Sequence, residues 1–227
     1  RGFMTIRESF DEWAPAGRDE EMADRHWHTA KEALAMMPVE NGDTVLDLGT
    51  GSGYALRALR ERSIGRGYGV DASPEMLDNA REYTDDPTIA YLQADFEALP
   101  FDANAVDHAF SMEAIYYADV PAALGELRRV LRPGGSLFLA VDYYAENPHT
   151  EDWDEFIDVD LARFTSEEYR EALREAGFHV AAQQNIPDRE VEIPPPGEFP
   201  TEDFDSRAEM VEHYRTYGTL LTVGVVP

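Results

Sequence analysis

A chain of 227 residues that is 43% hydrophobic and 11% aromatic is long enough for one domain with a sizeable core. It carries 46 acidic against 19 basic residues, net −27, which argues against nucleic-acid partners, since phosphate binding needs clustered Lys and Arg. It has no cysteine, which excludes disulfides, thiolate metal sites and cysteine nucleophiles. No apolar run approaches the roughly 18–20 residues that span a bilayer. Residues 1–17 hold no apolar stretch like that of a signal peptide, so a cytoplasmic placement is expected. The chain does not open on Met, so the natural start is expected at Met4 or upstream.

In chain order, the first predicted element is a helix over 20–37. Met22, Ala23, His26, Trp27, Ala30, Ala33, Leu34 and Met37 share one face at helical spacing, and Pro38 ends it. Strands and helices then alternate. A strand at 44–48 leads to a helix at 54–62, and a strand at 66–70 to a helix at 74–83, where Ser73-Pro74 supplies an N-cap and a first-turn proline. Strands follow at 89–92 and 105–111. A helix at 121–131 is stopped by Pro133-Gly134-Gly135, and a strand at 136–142 comes next. Thr165-Ser166-Glu167-Glu168 reads as a capping box opening a helix at 166–176. A strand at 178–184 and a final β-branched strand at 220–226 complete the pattern. Such alternation predicts a doubly wound α/β sheet with helices on both faces. Two segments interrupt it: an acidic, aromatic insertion at 143–162 with Trp153, Phe156 and Ile157, and residues 186–217, with a helix near 206–217. Both are candidate pocket walls or surface elaborations.

The densest functional signal is Val45-Leu46-Asp47-Leu48-Gly49-Thr50-Gly51-Ser52-Gly53, followed by Gly69-Val70-Asp71. Glycines let the backbone turn sharply and approach a ligand. An acid at the tip of the next strand is placed to bind two ribose hydroxyls. The glycine spacing is not that of a dehydrogenase fingerprint, where Tyr54 would have to be glycine. Nor does the loop end in the Lys of a phosphate-binding loop. A nucleoside without a pyrophosphate or triphosphate is the natural ligand.

Residues 47–53 resemble motif I of class I S-adenosylmethionine-dependent methyltransferases. The resemblance runs on through Gly69–Leu77, Gln93–Phe101 and Glu126–Gly135, covering about residues 42–142. It is nearest to the type 11 family, which includes quinone and other small-molecule methyltransferases. The family implies the strand order 3-2-1-4-5-7-6 with the last strand antiparallel. It implies one methyltransferase domain over 1–227, with residues 1–40 as a helical cover. S-adenosylmethionine is the implied cofactor. Its methionine and ribose would lie over Gly49, Thr50, Gly51 and Gly53, with its ammonium on Asp47 and its ribose hydroxyls on Asp71. Ala72 and Met76 would flank the adenine, Asp95 would accept from its amino group, and Ala94 and Phe96 would line the ring. The backbone at Ser111 and Met112 would reach the methionine end. The acidic surface with Lys31 as its one lysine resembles the proteins of salt-accumulating halophilic archaea.

The acceptor side is less legible. Tyr116-Tyr117 stands where many relatives carry paired histidines; either ring can face an acceptor or pack the pocket wall. His26, on the apolar helix face, is a base candidate or a satisfied core histidine. His28 falls on the polar face with Asp24 and Lys31. Asp142 is a base candidate or a capped loop acid. Tyr116, His26 and Asp142 are thus the candidate catalytic residues. No metal is expected, since the histidines show no ligand spacing. The reading is methyl transfer to a small-molecule acceptor, with a quinone or other aromatic metabolite as one option; the alternative is a non-catalytic S-adenosylmethionine-binding partner or regulatory protein. The partners expected are a small-molecule acceptor, with no nucleic acid and no membrane span.

Overall fold

The computed structural model describes residues 11, 18–151, 153 and 161–227. Residues 1–10 and 12–17 of the expected helical cover lie outside them, as do Phe156 and Ile157 of the insertion. Seven strands form one sheet: β1 (Thr44–Leu48), β2 (Arg66–Asp71), β3 (Ile89–Gln93), β4 (Val106–Met112), β5 (Leu131–Val141), β6 (His179–Ile186) and β7 (Thr219–Val225). Their order is β3-β2-β1-β4-β5-β7-β6. The first five run parallel, and β7 is antiparallel to both neighbours. This is the doubly wound α/β arrangement expected from the motifs.

Six helices accompany the sheet among the described residues: α1 (Arg18–Met36), α2 (Tyr54–Arg60), α3 (Pro74–Tyr83), α4 (Val120–Val130), α5 (Ser166–Glu175) and α6 (Arg207–Val211). None is long and apolar enough to cross a membrane. Alternate strand residues face opposite layers. Leu46 and Leu48 of β1 pack with Leu124 and Leu127 of α4 and Leu173 of α5. Val45 packs on the other side with Leu34 of α1, Leu56 and Leu59 of α2 and Leu77 of α3. Strand β4, covered on both faces, is buried along its whole length. The expected caps form: Ser73 Oγ accepts from Met76 N at 3.2 Å, and Thr165 and Glu168 make a reciprocal capping box.

Two elements differ from the sequence reading by more than two residues. Strand β5 starts at Leu131, not 136, because Leu131 pairs with Val106 before a register shift in the ladder. The Pro-Gly-Gly segment is carried inside the strand by that irregularity. The expected helix near 206–217 is α6 followed by a π-helical turn, Glu212–Tyr217. Wider turns of this kind re-aim side chains and recur at functional sites; here His213 and Tyr214 come to line a cavity.

Candidate functional site

A cavity of about 910 Å³ opens beyond the carboxyl ends of β1, β2, β4 and β5, where sheets of this topology bind ligands. Its first end is built by the glycine loop. Gly49 N–H and Thr50 N–H donate to Val70 O at 2.8 and 3.0 Å, which ties the loop to β2. Gly49 has φ +77°, and a Cβ there would stand 2.1 Å from the Ala114 Cβ. Gly51, at φ +51°, has nothing within 4 Å of its Cβ position, so the loop borders open space that a side chain would enter. Gly51 N–H donates to Asp71 Oδ2 at 2.9 Å and Ser73 N–H to Oδ1 at 3.1 Å. Burial raises the Asp71 pKa, and those backbone donors oppose the rise. Behind the loop, Asp47 is buried and accepts from Thr50 Oγ1 at 2.7 Å. Burial pushes its pKa up to about 7.

Ala72, Met76, Ala94, Asp95 and Phe96 line the same end. Asp95 Oδ1 accepts from Glu97 N at 3.0 Å, which orients its carboxylate. Asp19 Oδ1 and Ser52 Oγ are buried without a hydrogen-bond partner among the described residues, and both residues line the cavity. An unpartnered buried polar atom is costly, so these two atoms and the open space at Gly51 suit a polar, nucleoside-sized ligand.

The second end begins at Glu113, a non-glycine residue at φ +54° between β4 and the 3₁₀ turn Ile115–Tyr117. The Asp142 backbone N–H donates to Glu113 Oε1, and the Tyr116 hydroxyl donates to Oε2 at 2.7 Å. Burial and then the nearby Asp142 charge push the Glu113 pKa up to about 8. Asp142 accepts from the Thr219 hydroxyl, and burial raises its pKa to about 6. His26 of α1 faces the same space, its pKa lowered by burial to about 4. Ligating atoms of His26, Glu113 and Asp142 all lie within 4.8 Å of one another. Tyr116 packs against Tyr117 at 4.7 Å between ring centroids and against Tyr143 at 5.2 Å. Tyr143 stacks on Trp153 of the acidic insertion at 6.1 Å.

Of the residues singled out in the sequence, His26, Gly49, Thr50, Gly51, Asp71, Ala72, Met76, Ala94, Asp95, Phe96, Met112, Tyr116 and Asp142 line this one cavity. Asp47, Gly53 and Ser111 stand behind its wall: Gly53 caps α2, and Ser111 Oγ donates to Leu48 O at 3.0 Å. His28 is not in the lining, and its Nδ1 lies 3.0 Å from the Oδ2 of Asp188, a lining residue. Sequence reasoning missed Glu113 and Asp19, and it named residues 186–217 as a candidate pocket wall without singling out His213, which lines the cavity beside Tyr214. Glu113 had a signal, an acid directly after a strand that closes on Ala109-Phe110-Ser111-Met112. Asp19 reads only as one of three acids in the first turn of α1, and His213 and Tyr214 depend on the π-helical turn.

A family model described as "Methyltransferase domain" matches residues 46–139. The chain is 39% identical over 127 residues to malonyl-[acyl-carrier protein] O-methyltransferase of Pectobacterium atrosepticum, covering 55% of this chain and 49% of that protein. It is 34% identical over 150 residues to 2-phytyl-1,4-naphtoquinone methyltransferase of Nostoc punctiforme, covering 63% and 62%. The chain thus spans less than two thirds of the length of either. Among solved structures, it is 59% identical, at a TM-score of 0.95, to a protein described as a methyltransferase in a complex with the Haloferax volcanii Trm112 methyltransferase activator. That match covers 98% of this chain and 100% of the other. The chain belongs to the class I S-adenosylmethionine-dependent methyltransferases, enzymes whose cofactor is S-adenosylmethionine. The Haloferax complex also corrects the partner list drawn from the sequence, which held a small-molecule acceptor and no protein: a relative matched over its whole length is bound by an activator protein. Such docking surfaces differ little in bulk composition from the rest of a protein surface, and no linear motif marked one.

Proposed function

We propose that this class I methyltransferase carries the methyl group of S-adenosylmethionine to a small aromatic or quinone-like acceptor, and that it works with an activator protein like the one bound to its Haloferax volcanii relative. The observation that carries the reading is the single cavity joining the glycine loop to Tyr116, His26 and Asp142. In this reading Asp71 takes the ribose hydroxyls, and Asp47 acts on the methionine ammonium from behind the loop. Ala72, Met76, Ala94 and Phe96 enclose the adenine and Asp95 meets its amino group, while Ser111 and Met112 border the methionine end. The methyl then points toward Tyr116, His26 and Asp142. Bound S-adenosylmethionine would supply the methyl on its sulfonium sulfur, and Tyr116, His26 and Asp142 would border the acceptor that takes it. The sulfonium is already activated, so the chain's task is to align the two reactants and exclude water. An aromatic acceptor is supported by the rings of Tyr54, Tyr116, Tyr117, Trp153 and Tyr214 around that end.

The test is transfer of isotopic methyl from labelled S-adenosylmethionine to naphthoquinols and to cell-extract metabolites, by the chain alone and co-expressed with an activator. Label is expected in a small organic product, and more of it with the activator. Calorimetry that finds cofactor binding, alongside no transfer to any acceptor with activator present, would leave a non-catalytic binding protein instead. We further propose a salt-adapted surface, supported by the net charge of −27. Screening of carboxylate repulsion and then salting-out of apolar surface should raise the melting temperature from dilute buffer to molar potassium chloride. A melting temperature that does not move removes this proposal.

A further inference from the structure

His26 comes from α1, Glu113 from the end of β4 and Asp142 from the end of β5, yet their ligating atoms lie within 4.8 Å of one another. No side chain of the three is hydrogen-bonded to the side chain of another; the one bond among them runs from the Asp142 backbone N–H to Glu113. The His26 ring has no hydrogen-bond partner among the described residues, so one imidazole lone pair is free to act as a ligand. The two carboxylates, in contrast, are held from behind. The Tyr116 hydroxyl and the Asp142 backbone N–H fix Glu113. The Thr219 hydroxyl fixes Asp142 and itself lies 2.7 Å from the Thr29 hydroxyl. Outer-shell bonds of this kind orient metal ligands. Left bare, the arrangement sets two half-buried carboxyl groups close together, and the Asp142 charge disfavours ionisation of Glu113. A positive ion between them would offset that cost.

We propose that His26, Glu113 and Asp142 form a site for a first-row divalent cation at the acceptor end of the cavity. One imidazole nitrogen with two carboxylate oxygens suits Mn²⁺, Fe²⁺, Co²⁺ or Zn²⁺ better than Mg²⁺, which favours oxygen ligands and retained water. Three protein ligands leave coordination positions open, and these face the space assigned above to the acceptor. The ion would therefore receive an oxygen of the acceptor and hold it near the sulfonium. The inference rests on that reading for the identity of the incoming oxygen, but not for the existence of the site. It departs from the expectation of no metal, which came from spacing along the chain; three ligands from three distant elements leave no spacing to read.

The test uses the full chain, stripped with chelator and kept in molar potassium chloride so that ions held loosely by the acidic surface are screened. Mn²⁺ and Zn²⁺ are titrated by calorimetry without acceptor, and Co²⁺ is followed by its visible absorption. One saturable site is expected, with a Co²⁺ spectrum showing nitrogen and oxygen ligation. Outer-shell losses alone cost roughly 10–100-fold in metal affinity, so His26→Ala and Asp142→Asn should each cost at least about tenfold. Asp24→Asn, on the exposed side of α1, should cost nothing. S-adenosylhomocysteine affinity, measured on the same samples, verifies that each variant is folded. Absence of a saturable site in the parent overturns the proposal, as does unchanged metal affinity in both ligand variants. Metal binding without methyl transfer would leave the site standing and count against the acceptor reading alone.

Discussion

At the cofactor end of the cavity, the loop from Gly49 to Gly53 and Asp71 are held by backbone bonds between neighbours in sequence or adjacent strands. At the acceptor end, His26, Glu113, Asp142 and Thr219 come from four separate elements and meet through their side chains. The first construction depends on conformations that only certain residues adopt, and it leaves a contiguous signature. The second depends on long-range convergence of side chains, each of which is individually ordinary. Variants at the two ends should accordingly fail in different ways.

The largest effect is expected where the two ends touch. Gly49→Ala would force a left-handed alanine, costing roughly 1–2 kcal/mol, and would drive its Cβ to 2.1 Å from that of Ala114. Overpacking of this kind costs about 1–3 kcal/mol more. Urea unfolding should show a loss of a few kcal/mol, together with weakened cofactor binding. Unchanged stability would mean that the Ala114 segment yields freely, and that the two ends are not rigidly joined.

The same contrast explains what was legible in the sequence. The strands, the cofactor loop and Asp71 could be read because each needs a local pattern: β-period apolar runs, glycine where φ is positive, and an acid at a strand tip; the strand order came from the family resemblance. Gly49, Thr50, Gly51 and Asp71 were expected and line the cavity. His26, Tyr116 and Asp142 could be nominated, but only as one of two readings each. Nothing local separates a histidine in a core from one facing a cavity. Glu113 was missed because its importance comes from its bonds to Asp142 and Tyr116. The start of β5 was misplaced because Pro133-Gly134-Gly135 is a strong local stop, overridden by pairing with Val106.

Next in size is an acid effect confined to the wall of the acceptor end. His213 is buried, its Nδ1 lies 3.1 Å from the Asn147 amide, and burial, then His149 and Arg25, lower its pKa from 6.5 to about 4. The folded state therefore resists the proton that the unfolded state accepts. The sign follows: the contribution is full above about pH 6.5, falls as pH drops through the window from 6.5 to about 4, and then levels off. Its limit is on the order of 3 kcal/mol. The buried acids Asp47, Glu113 and Asp142 have raised pKa values and act in the opposite direction. The parent must therefore be compared with His213→Gln, in which those contributions cancel. Urea unfolding of both proteins at pH 7 and pH 5 should show the parent losing more stability than the variant. Equal losses would mean that His213 takes up its proton in the folded state without penalty.

Asp71→Ala probes the cofactor end alone. It removes an acceptor proposed for two ribose hydroxyls and releases Gly51 and Ser73 N–H. Charge-assisted hydrogen bonds are worth about 1.5–3 kcal/mol each before water compensates. S-adenosylhomocysteine affinity should fall by tens to hundreds of fold, roughly 2–3 kcal/mol, by calorimetry. Affinity equal to the parent's would remove Asp71 from the ribose.

Tyr116→Phe is the smallest change and the sharpest test of separability. The ring is kept, with its packing against Tyr117 and Tyr143. The donor to Glu113 Oε2 at 2.7 Å is lost, together with the hydroxyl's bond to Tyr117. A buried acceptor deprived of one partner costs about 1–3 kcal/mol, and Glu113 retains its bond from the Asp142 N–H, so the stability loss should fall near the low end. The consequence for function lies in where Glu113 then points, since it sits beside His26 and Asp142 at the acceptor end. Turnover with whichever acceptor is identified should fall while cofactor affinity stays within about twofold of the parent, the pattern of an interaction made beyond cofactor binding. If affinity for S-adenosylhomocysteine falls in step with turnover, the loss at Glu113 has travelled through Ala114 to the glycine loop. The two ends would then have to be treated as one coupled unit.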